Sequence, residues 1–268
     1  DNLGNIMGQM VYGKQIAGCA AALKTNNGRI GYMGPLINDE TRRLTVSAYL
    51  GAQYCYDAYR EDMEEELVFE VNWIGFWFNI PGVTLDPTEV ANDFFNNDYN
   101  VLISGIDTTE AIVVAGQRAA EGEDVYALPY DYLFACDEAP EICLGVPYYN
   151  WGPSYLETVT AVANGEWERQ WEWLSPDWSD INNLDTSAIG YLYGDALTED
   201  EIAILEEFTA DIAAGATGEE DGLVLWQGPL NLQDGTEYLA EGEVATEEQI
   251  WYMPQLAEGM LGASVADE

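Results

Sequence analysis

The chain has 268 residues, enough for a sizeable core in one or two domains, and its ordinary apolar content excludes an intrinsically disordered protein. Only 8 Lys and Arg residues accompany 49 Asp and Glu, so the net charge is −41. Such a surface repels nucleic acids and anionic membranes, and neither is expected as a partner. Because salt screens this self-repulsion, the composition is typical of a salt-adapted protein, although an acidic secreted protein would share it.

The residue inventory also limits the chemistry that the chain can perform. It contains no histidine, which excludes Ser-His and Cys-His nucleophiles and histidine-based zinc sites. No cysteine belongs to a Cys-x-x-Cys pair, so we expect neither a metal nor a redox cofactor. Cys136 and Cys143 flank a short acidic loop and are predicted to form a disulfide, whereas Cys19 and Cys55 could be paired or free. A disulfide would indicate an oxidising compartment outside the cytoplasm.

Helices and strands are predicted to alternate through the first part of the chain. An alanine-rich helix at 8–25 comes first, and further helices are expected at 39–59, 87–96, 107–122 and 153–165. Short apolar strands are expected at 29–33, 67–73, 101–104, 125–128 and 142–148. Asp39, Asp86 and a capping box from Asp107 to Glu110 are predicted to start three of the helices. This alternation indicates an α/β fold with a parallel, doubly wound sheet.

The remainder of the chain has weaker patterns. The aromatic and acidic stretch 167–185 lacks periodicity; Asp177, Asp180, Asn182 and Asp185 within it could hold calcium, but their spacing favours a solvated loop. A strand is predicted at 187–193, then a helix capped by Thr198 and ending near residue 214. Segments 223–227 and 238–240 around an Asp-Gly turn indicate a hairpin, and a final helix begins at 246.

Polar and aromatic side chains follow each predicted strand at its carboxyl end. In a parallel sheet these positions meet at one edge, in the crevice where α/β proteins bind ligands. No glycine-rich phosphate loop follows any strand, so a nucleotide phosphate is not expected. An aromatic face with amides and carboxylates suits a flat, polar small molecule. The predicted ligand-binding residues are Asn38, Trp77, Asn79, Asp107, Thr108, Tyr130, Asp131, Asn150 and Trp151.

Several of these residues have alternative roles. Asp107 could be a helix cap, a ligand contact or both, and Asn150 could only cap the helix that follows it. Trp151 could belong to the core. Asp107 and Asp131 could also act as general acid and base, as in glycoside hydrolysis, although no nucleophile motif accompanies them.

An ordered set of segments resembles the basic membrane protein (BMP) class of ABC-transporter substrate-binding lipoproteins, which includes purine-nucleoside receptors. The segments are YGKQIAG at 12–18, GRIGYMG at 28–34, NWIGFWFN at 72–79, IDTT at 106–109, Tyr130-Asp131, NWGPSY at 150–155, GPL at 228–230 with Asp-Gly at 234–235, and 253–262. Asn79 stands where the family signature has an acid. The resemblance covers most of the chain.

The resemblance implies a type I periplasmic-binding-protein fold, in which two α/β lobes close about a hinge over a small ligand. Trp77 would stack on a nucleoside or nucleobase, and Asn79, Asp107, Asp131 and Asn150 would form hydrogen bonds with it. It also implies an ABC permease as partner, no catalysis, no cofactor, and an extracytoplasmic location with a lipid anchor outside this chain.

The resemblance also predicts the domain organisation. Residues 1–27 would end the first lobe and cross over, 28–150 would form the second α/β lobe, and 151–268 would complete both lobes. About the first third of a typical member, with one side of the ligand clamp, is expected to lie outside this chain. Two alternatives remain: a surface or assembly protein that reuses the fold, and a carboxylate-dependent hydrolase.

Overall fold

Strands and helices alternate along the computed structural model, which describes residues 3–219 and 221–266. In the first part of the chain they are β1 (Asn5–Gly8), α1 (Met10–Lys24), β2 (Arg29–Gly34), α2 (Asp39–Tyr59), β3 (Val68–Trp73), α3 (Pro87–Asn96), β4 (Val101–Ser104), α4 (Glu110–Ala120) and β5 (Tyr126–Leu128). They continue as β6 (Gly145–Tyr149), α5 (Gly152–Asn164), β7 (Trp171–Leu174), β8 (Ile189–Tyr193), α6 (Glu199–Thr217), β9 (Leu230–Asn231), β10 (Glu237–Leu239), α7 (Glu247–Trp251) and β11 (Met260–Leu261).

A five-stranded parallel sheet with the order β11-β3-β2-β4-β5 confirms the predicted fold class. Its register places Tyr32 of β2 between Val71 of β3 and Ile103 of β4. Helices α1 and α2 contribute to the core on one face of the sheet, and α3 and α4 cover the other. The central strands β2 and β4 are mostly apolar because both of their faces are buried, whereas β3 also carries Glu70 and Asn72.

The strand expected at 142–148 does not join the central sheet as its fifth strand. Strand β6 pairs antiparallel with β8. Isolated parallel bridges connect Cys143, just before β6, with Ala127 of β5, and Tyr148 of β6 with Asp131 after β5. Pro147 lies in the middle of β6 and has no N–H to donate, which disfavours a central position in a sheet. The loop before β6 is closed by the Cys136–Cys143 disulfide, as predicted.

Three strands were not predicted. Strand β1 pairs in parallel with β7, where a helix start and an irregular stretch were expected, and β11 adds to the edge of β3. The hairpin forms between β9 and β10, so its first strand lies after the predicted segment 223–227. Each of these strands has two to four residues. That length is too short for an alternating pattern to stand out.

Helix caps confirm some predictions and correct others. The side chains of Asp86 and Thr198 accept hydrogen bonds from the first turns of α3 and α6, as predicted. The cap of α2 is Asn38 rather than Asp39. The capping box predicted from Asp107 is wrong, since α4 begins at Glu110 after a Thr109 cap position that makes no side-chain hydrogen bond. The carboxylate of Asp107 is therefore not used as a helix cap.

Helices α1 and α2 cross with their backbones in direct contact. A Cβ atom added to Gly18 would lie 1.9 Å from the carbonyl oxygen of Ala48, and one added to Gly51 would lie 2.0 Å from that of Gln15. The Cys19–Cys55 disulfide joins the two helices at this crossing. Helix α1 is buried along almost its whole length. Within the described ranges, no helix combines the length and the apolar character that crossing a membrane requires.

Candidate ligand-binding site

The loops after β2, β3, β4 and β5 meet at the carboxyl edge of the central sheet, as the parallel arrangement requires. Backbone hydrogen bonds connect these segments: Gly75 N–H donates to the Pro35 carbonyl, Gly105 N–H to the Met33 carbonyl and Asp107 N–H to the Trp77 carbonyl, each at 2.8 Å. The bond from Asp107 places its backbone beside that of Trp77, and the side chain of Asp107 does not cap α4.

Three carboxylates lie close enough at this edge to repel one another. Burial, followed by the charges of Asp131 and Glu40, raises the pKa of Asp107 to about 6. Burial also raises the pKa of Asp131, whereas the charge of Lys14 and a hydrogen bond from the backbone of Tyr149 lower it. The pKa of Glu40 is raised by its burial and by Asp131, against the effect of Arg43. The predicted pair Asp107 and Asp131 is therefore brought together.

Asp131 has an unusual backbone conformation. Its φ angle of +67° is left-handed, which few residues other than glycine adopt, although aspartate tolerates it better than most. Its N–H donates to the Pro147 carbonyl at 3.0 Å, so β6 fixes this strained residue in place. Strain of this kind, held by surrounding structure, is common at ligand sites.

Aromatic side chains surround the carboxylates. Trp77 is partly buried and its ring packs edge-on against Phe76 at 5.2 Å. Tyr130 is buried, with its ring 6.4 Å from that of Tyr149. Trp151 is partly buried and stacks on Tyr149 at 4.9 Å. Trp151 is thus part of a ring stack beside the site and is not enclosed in the core.

The amide side chains predicted to bind ligand already form hydrogen bonds within the protein. The oxygen of Asn38 accepts from Thr41 N–H as a helix cap, and the oxygen of Asn79 accepts from the Thr84 hydroxyl at 3.2 Å. The amide of Asn150 donates to the carbonyls of Leu184 and Ser187 at 2.9 and 2.7 Å, so it bridges to a distant loop instead of capping α5.

The hydroxyl of Thr108 differs from these amides. Its oxygen is buried and has no hydrogen-bond partner among the described residues. It lies next to Asp107, at the start of the loop that leads into α4.

Sequence reasoning missed three charged residues of the site. Lys14 is fully buried on α1, and its ammonium group lies 3.7 Å from the centre of the Tyr130 ring. Glu40 and Arg43 lie on the first turns of α2, and Arg43 packs 4.1 Å from the ring of Trp251. One signal was available: Lys14 is one of two lysines in the chain and interrupts an apolar helix.

Two other features lie apart from this edge. A cavity of about 280 Å³ is lined by residues that include Gln9, Tyr12, Trp173 and Trp226, and by none of the predicted ligand-binding residues. In the acidic stretch 167–185, Asp177 accepts hydrogen bonds from the hydroxyls of its neighbours Ser179 and Thr186. Across residues 3–219 and 221–266, no group of three or more acidic or cysteine side chains is arranged to hold a metal ion.

Comparison with known proteins gives two curated relatives, while no family model matches the chain. A purine-binding protein of Brucella abortus is 26% identical over 250 residues, covering 93% of this chain and 62% of that protein. A Haloferax volcanii protein with the provisional name ABC transporter glucose-binding protein is 26% identical over 173 residues, covering 65% of this chain and 40% of that protein. The chain thus spans less than two thirds of the length of both relatives.

Among solved structures, an ABC transporter solute-binding protein from Aeropyrum pernix K1 superposes with a TM-score of 0.61 at 13% identity. The match covers 81% of this chain and 66% of that chain. The fold is that of the type I periplasmic binding proteins. The comparisons support a relationship with the solute-binding proteins of ABC transporters. They do not single out the BMP class, which stays a prediction.

Proposed function

We propose that the chain belongs to an extracytoplasmic solute-binding protein of an ABC transporter that binds a nucleoside or nucleobase-like molecule. The observation that supports this most directly is the meeting of Asp107, Asp131 and Trp77 at the carboxyl edge of the sheet. It occurs in a periplasmic-binding-protein fold, in a chain that is similar over 93% of its length to a purine-binding protein.

The carboxylates account for both binding and selectivity in this proposal. Asp107 and Asp131 repel each other in the free protein, and ligand N–H or hydroxyl donors placed between them would relieve that repulsion. Trp77 supplies an aromatic face for stacking. Thr108, whose hydroxyl lacks a partner among the described residues, supplies a further polar contact. Tyr130, Trp151, Asn38, Asn79 and Asn150 complete the proposed lining.

The proposed role is binding without chemistry. Desolvation, followed by the charges of Asp131 and Glu40, raises the pKa of Asp107 to about 6. A bound ligand that donates to the ionised form would lower that pKa, so protons would be released on binding and affinity would rise from about pH 5 to pH 7. The ABC permease would recognise the occupied, closed state. The two disulfides are consistent with an oxidising, extracytoplasmic compartment.

A sugar is the second candidate ligand. The Haloferax volcanii relative is named for glucose, and aromatic stacking with paired carboxylates also suits the hydroxyls of a pyranose. The two ligand classes differ in their need for a flat π face: a nucleobase requires close stacking along Trp77, whereas a sugar ring requires only contact with its C–H bonds.

Thermal unfolding with a panel of nucleosides, nucleobases and sugars tests the proposal. A ligand that binds only the folded state must raise the midpoint in a concentration-dependent way. We expect adenosine, guanosine or a free purine to do so at both low and high salt, and Trp77→Ala to abolish the shift. Phe78→Ala is the matched control, because Phe78 lies in the same loop but is 45% exposed.

Three outcomes separate the alternatives. A rise in the unfolding midpoint with glucose and none with purines would identify the ligand as a sugar. If the ligand is recovered in a chemically altered form, and Asp107→Asn no longer alters it, the hydrolase hypothesis is supported. No shift from any compound in either salt would refute the small-molecule proposal and leave the surface or assembly role.

A further inference from the structure

Lys14 has no exposed surface, yet it lies directly beneath the candidate site. Its Nζ atom donates a hydrogen bond to the Ser104 carbonyl oxygen at 2.7 Å. The same atom lies 3.7 Å from the centre of the Tyr130 ring and 5.2 Å from that of Tyr32. The loops after β4 and β5, which carry Asp107 and Asp131, therefore begin at residues that contact this amine.

The contacts of Lys14 favour its charged form. Burial lowers the pKa of Lys14 well below its usual value, and the negative charge of Asp131 opposes that effect in part. Its contacts are a carbonyl oxygen and two aromatic faces, which interact more strongly with an ammonium group than with a neutral amine. A buried cation of this kind requires a nearby anion, and Asp131 is the carboxylate that interacts with it.

We propose that Lys14 is a positioning residue of the candidate site, which acts through Asp131 and Tyr130 and whose buried positive charge keeps Asp131 available as a hydrogen-bond acceptor. The effect on Asp131 requires that the ammonium group of Lys14, which lies over the ring of the adjacent Tyr130, is charged, whereas the effect on ligand affinity rests on the proposed function. Without this charge, Asp131 would share a proton with Asp107 in the pH range where the protein must bind.

Among the charges around Asp131, that of Lys14 favours the ionised form of its carboxylate. The carboxylates of Glu40 and Asp107 repel an ionised Asp131, and the guanidinium group of Arg43 interacts with Glu40. The titratable or charged groups that surround Asp131 and Lys14 are Tyr32 on β2, Glu40 and Arg43 on α2, Asp107 after β4, Tyr130 beside Asp131, and Tyr149 on β6. Lys14 is the cation that lowers the pKa of Asp131 directly.

Carboxyl-carbon NMR titration of the ligand-free protein, labelled at aspartate, tests the first part. The Asp131 signal is assigned by its loss in Asp131→Asn. Lys14→Met keeps the length of the side chain and removes the charge, so we expect the pKa of Asp131 to rise by about one unit, a tenfold change in proton affinity. Lys14→Arg keeps the charge and should leave the Asp131 titration close to that of the parent protein.

The second part uses adenosine as the probe and measures its affinity from pH 5 to pH 8. Lys14→Met should bind adenosine about tenfold more weakly than the parent near pH 6 and nearly as well at pH 8. A merely structural role for Lys14 would lower affinity equally at every pH. Lys14→Arg should restore the parent profile.

The outcomes distinguish the two proposals. An unchanged Asp131 titration in folded Lys14→Met overturns the role of Lys14, whatever the ligand result. A shifted titration without adenosine binding by any variant counts against the proposed function and leaves the role of Lys14 intact. If Lys14→Met does not fold, nitrogen NMR of the parent protein decides: with two lysines in the chain the spectrum is simple, and a neutral Lys14 amine at pH 7 overturns the proposal.

Discussion

Replacing Asp107 with asparagine is expected to stabilise the protein in neutral solution and to leave its stability unchanged in acid. Burial and the charges of Asp131 and Glu40 raise the pKa of Asp107 to about 6, whereas the unfolded chain releases that proton near its ordinary pKa of about 4. The folded protein therefore binds more protons between these values, and the free energy of unfolding falls as the pH rises from about 4 to about 6. Asparagine does not ionise, so the free energy of unfolding of Asp107→Asn does not fall in this way as the pH rises.

The size of the effect depends on how exposed Asp107 is. A rise of about two pKa units would correspond to about 3 kcal/mol for a fully enclosed carboxylate. Asp107 is exposed at the rim of the site, so water and salt screen much of the repulsion. We therefore expect Asp107→Asn to raise the free energy of unfolding by ~1 kcal/mol at pH 8 in low salt, by less in 1 M salt, and by nothing at pH 4.

Urea unfolding at pH 4, 6 and 8 measures this difference. Glu157→Gln is the matched control, because Glu157 is an exposed acid on α5 and its replacement removes one negative charge away from the site. A gain in Asp107→Asn that is equal at pH 4 and pH 8, or no larger than that of Glu157→Gln, would refute the raised pKa of Asp107. So would a loss of stability at pH 8.

Three further predictions concern the scaffold and use the same unfolding assay. Gly18→Ala should lower the free energy of unfolding by ~2 kcal/mol or more, because its new methyl group would collide with the carbonyl oxygen of Ala48; an unchanged midpoint would contradict the close crossing. Replacing Cys19 and Cys55 together with alanine should cost ~3–4 kcal/mol, since the disulfide closes a loop with a sequence separation of 36; equal stability of the oxidised and reduced protein would argue against it. Thr198→Ala should cost ~1 kcal/mol through loss of the α6 cap, with no change expected in ligand affinity.

The sequence predicts the central fold because its signals are local. Apolar runs such as the one that forms β3, and cap residues such as Asp86 and Thr198, act over a few residues and need no distant partner. The meeting of Asp107 and Asp131 then follows from the parallel order of the strands, which places their loops at one edge. The short loop between Cys136 and Cys143 made that disulfide equally accessible to prediction.

What the sequence does not predict depends on distant contacts. Asp107 has the spacing of a capping box, but its backbone bonds to the loop of Trp77, and α4 begins at Glu110. Strand β1 is recognisable only beside β7, far along the chain. Lys14 and Glu40 join the site because α1 and α2 pack beneath it. Lys14 interrupts an apolar helix, but that signal does not say which site the lysine joins, and no pattern in α2 indicates Glu40.

The close crossing of α1 and α2 also determines which parts of the molecule can move. Gly18 and Gly51 leave no room for sliding between the two helices, and the Cys19–Cys55 disulfide prevents their separation. Lys14 and Glu40, which lie on different helices, must therefore travel together as one rigid unit. Any opening of the ligand site has to come from the aromatic loops or from elements outside this helix pair.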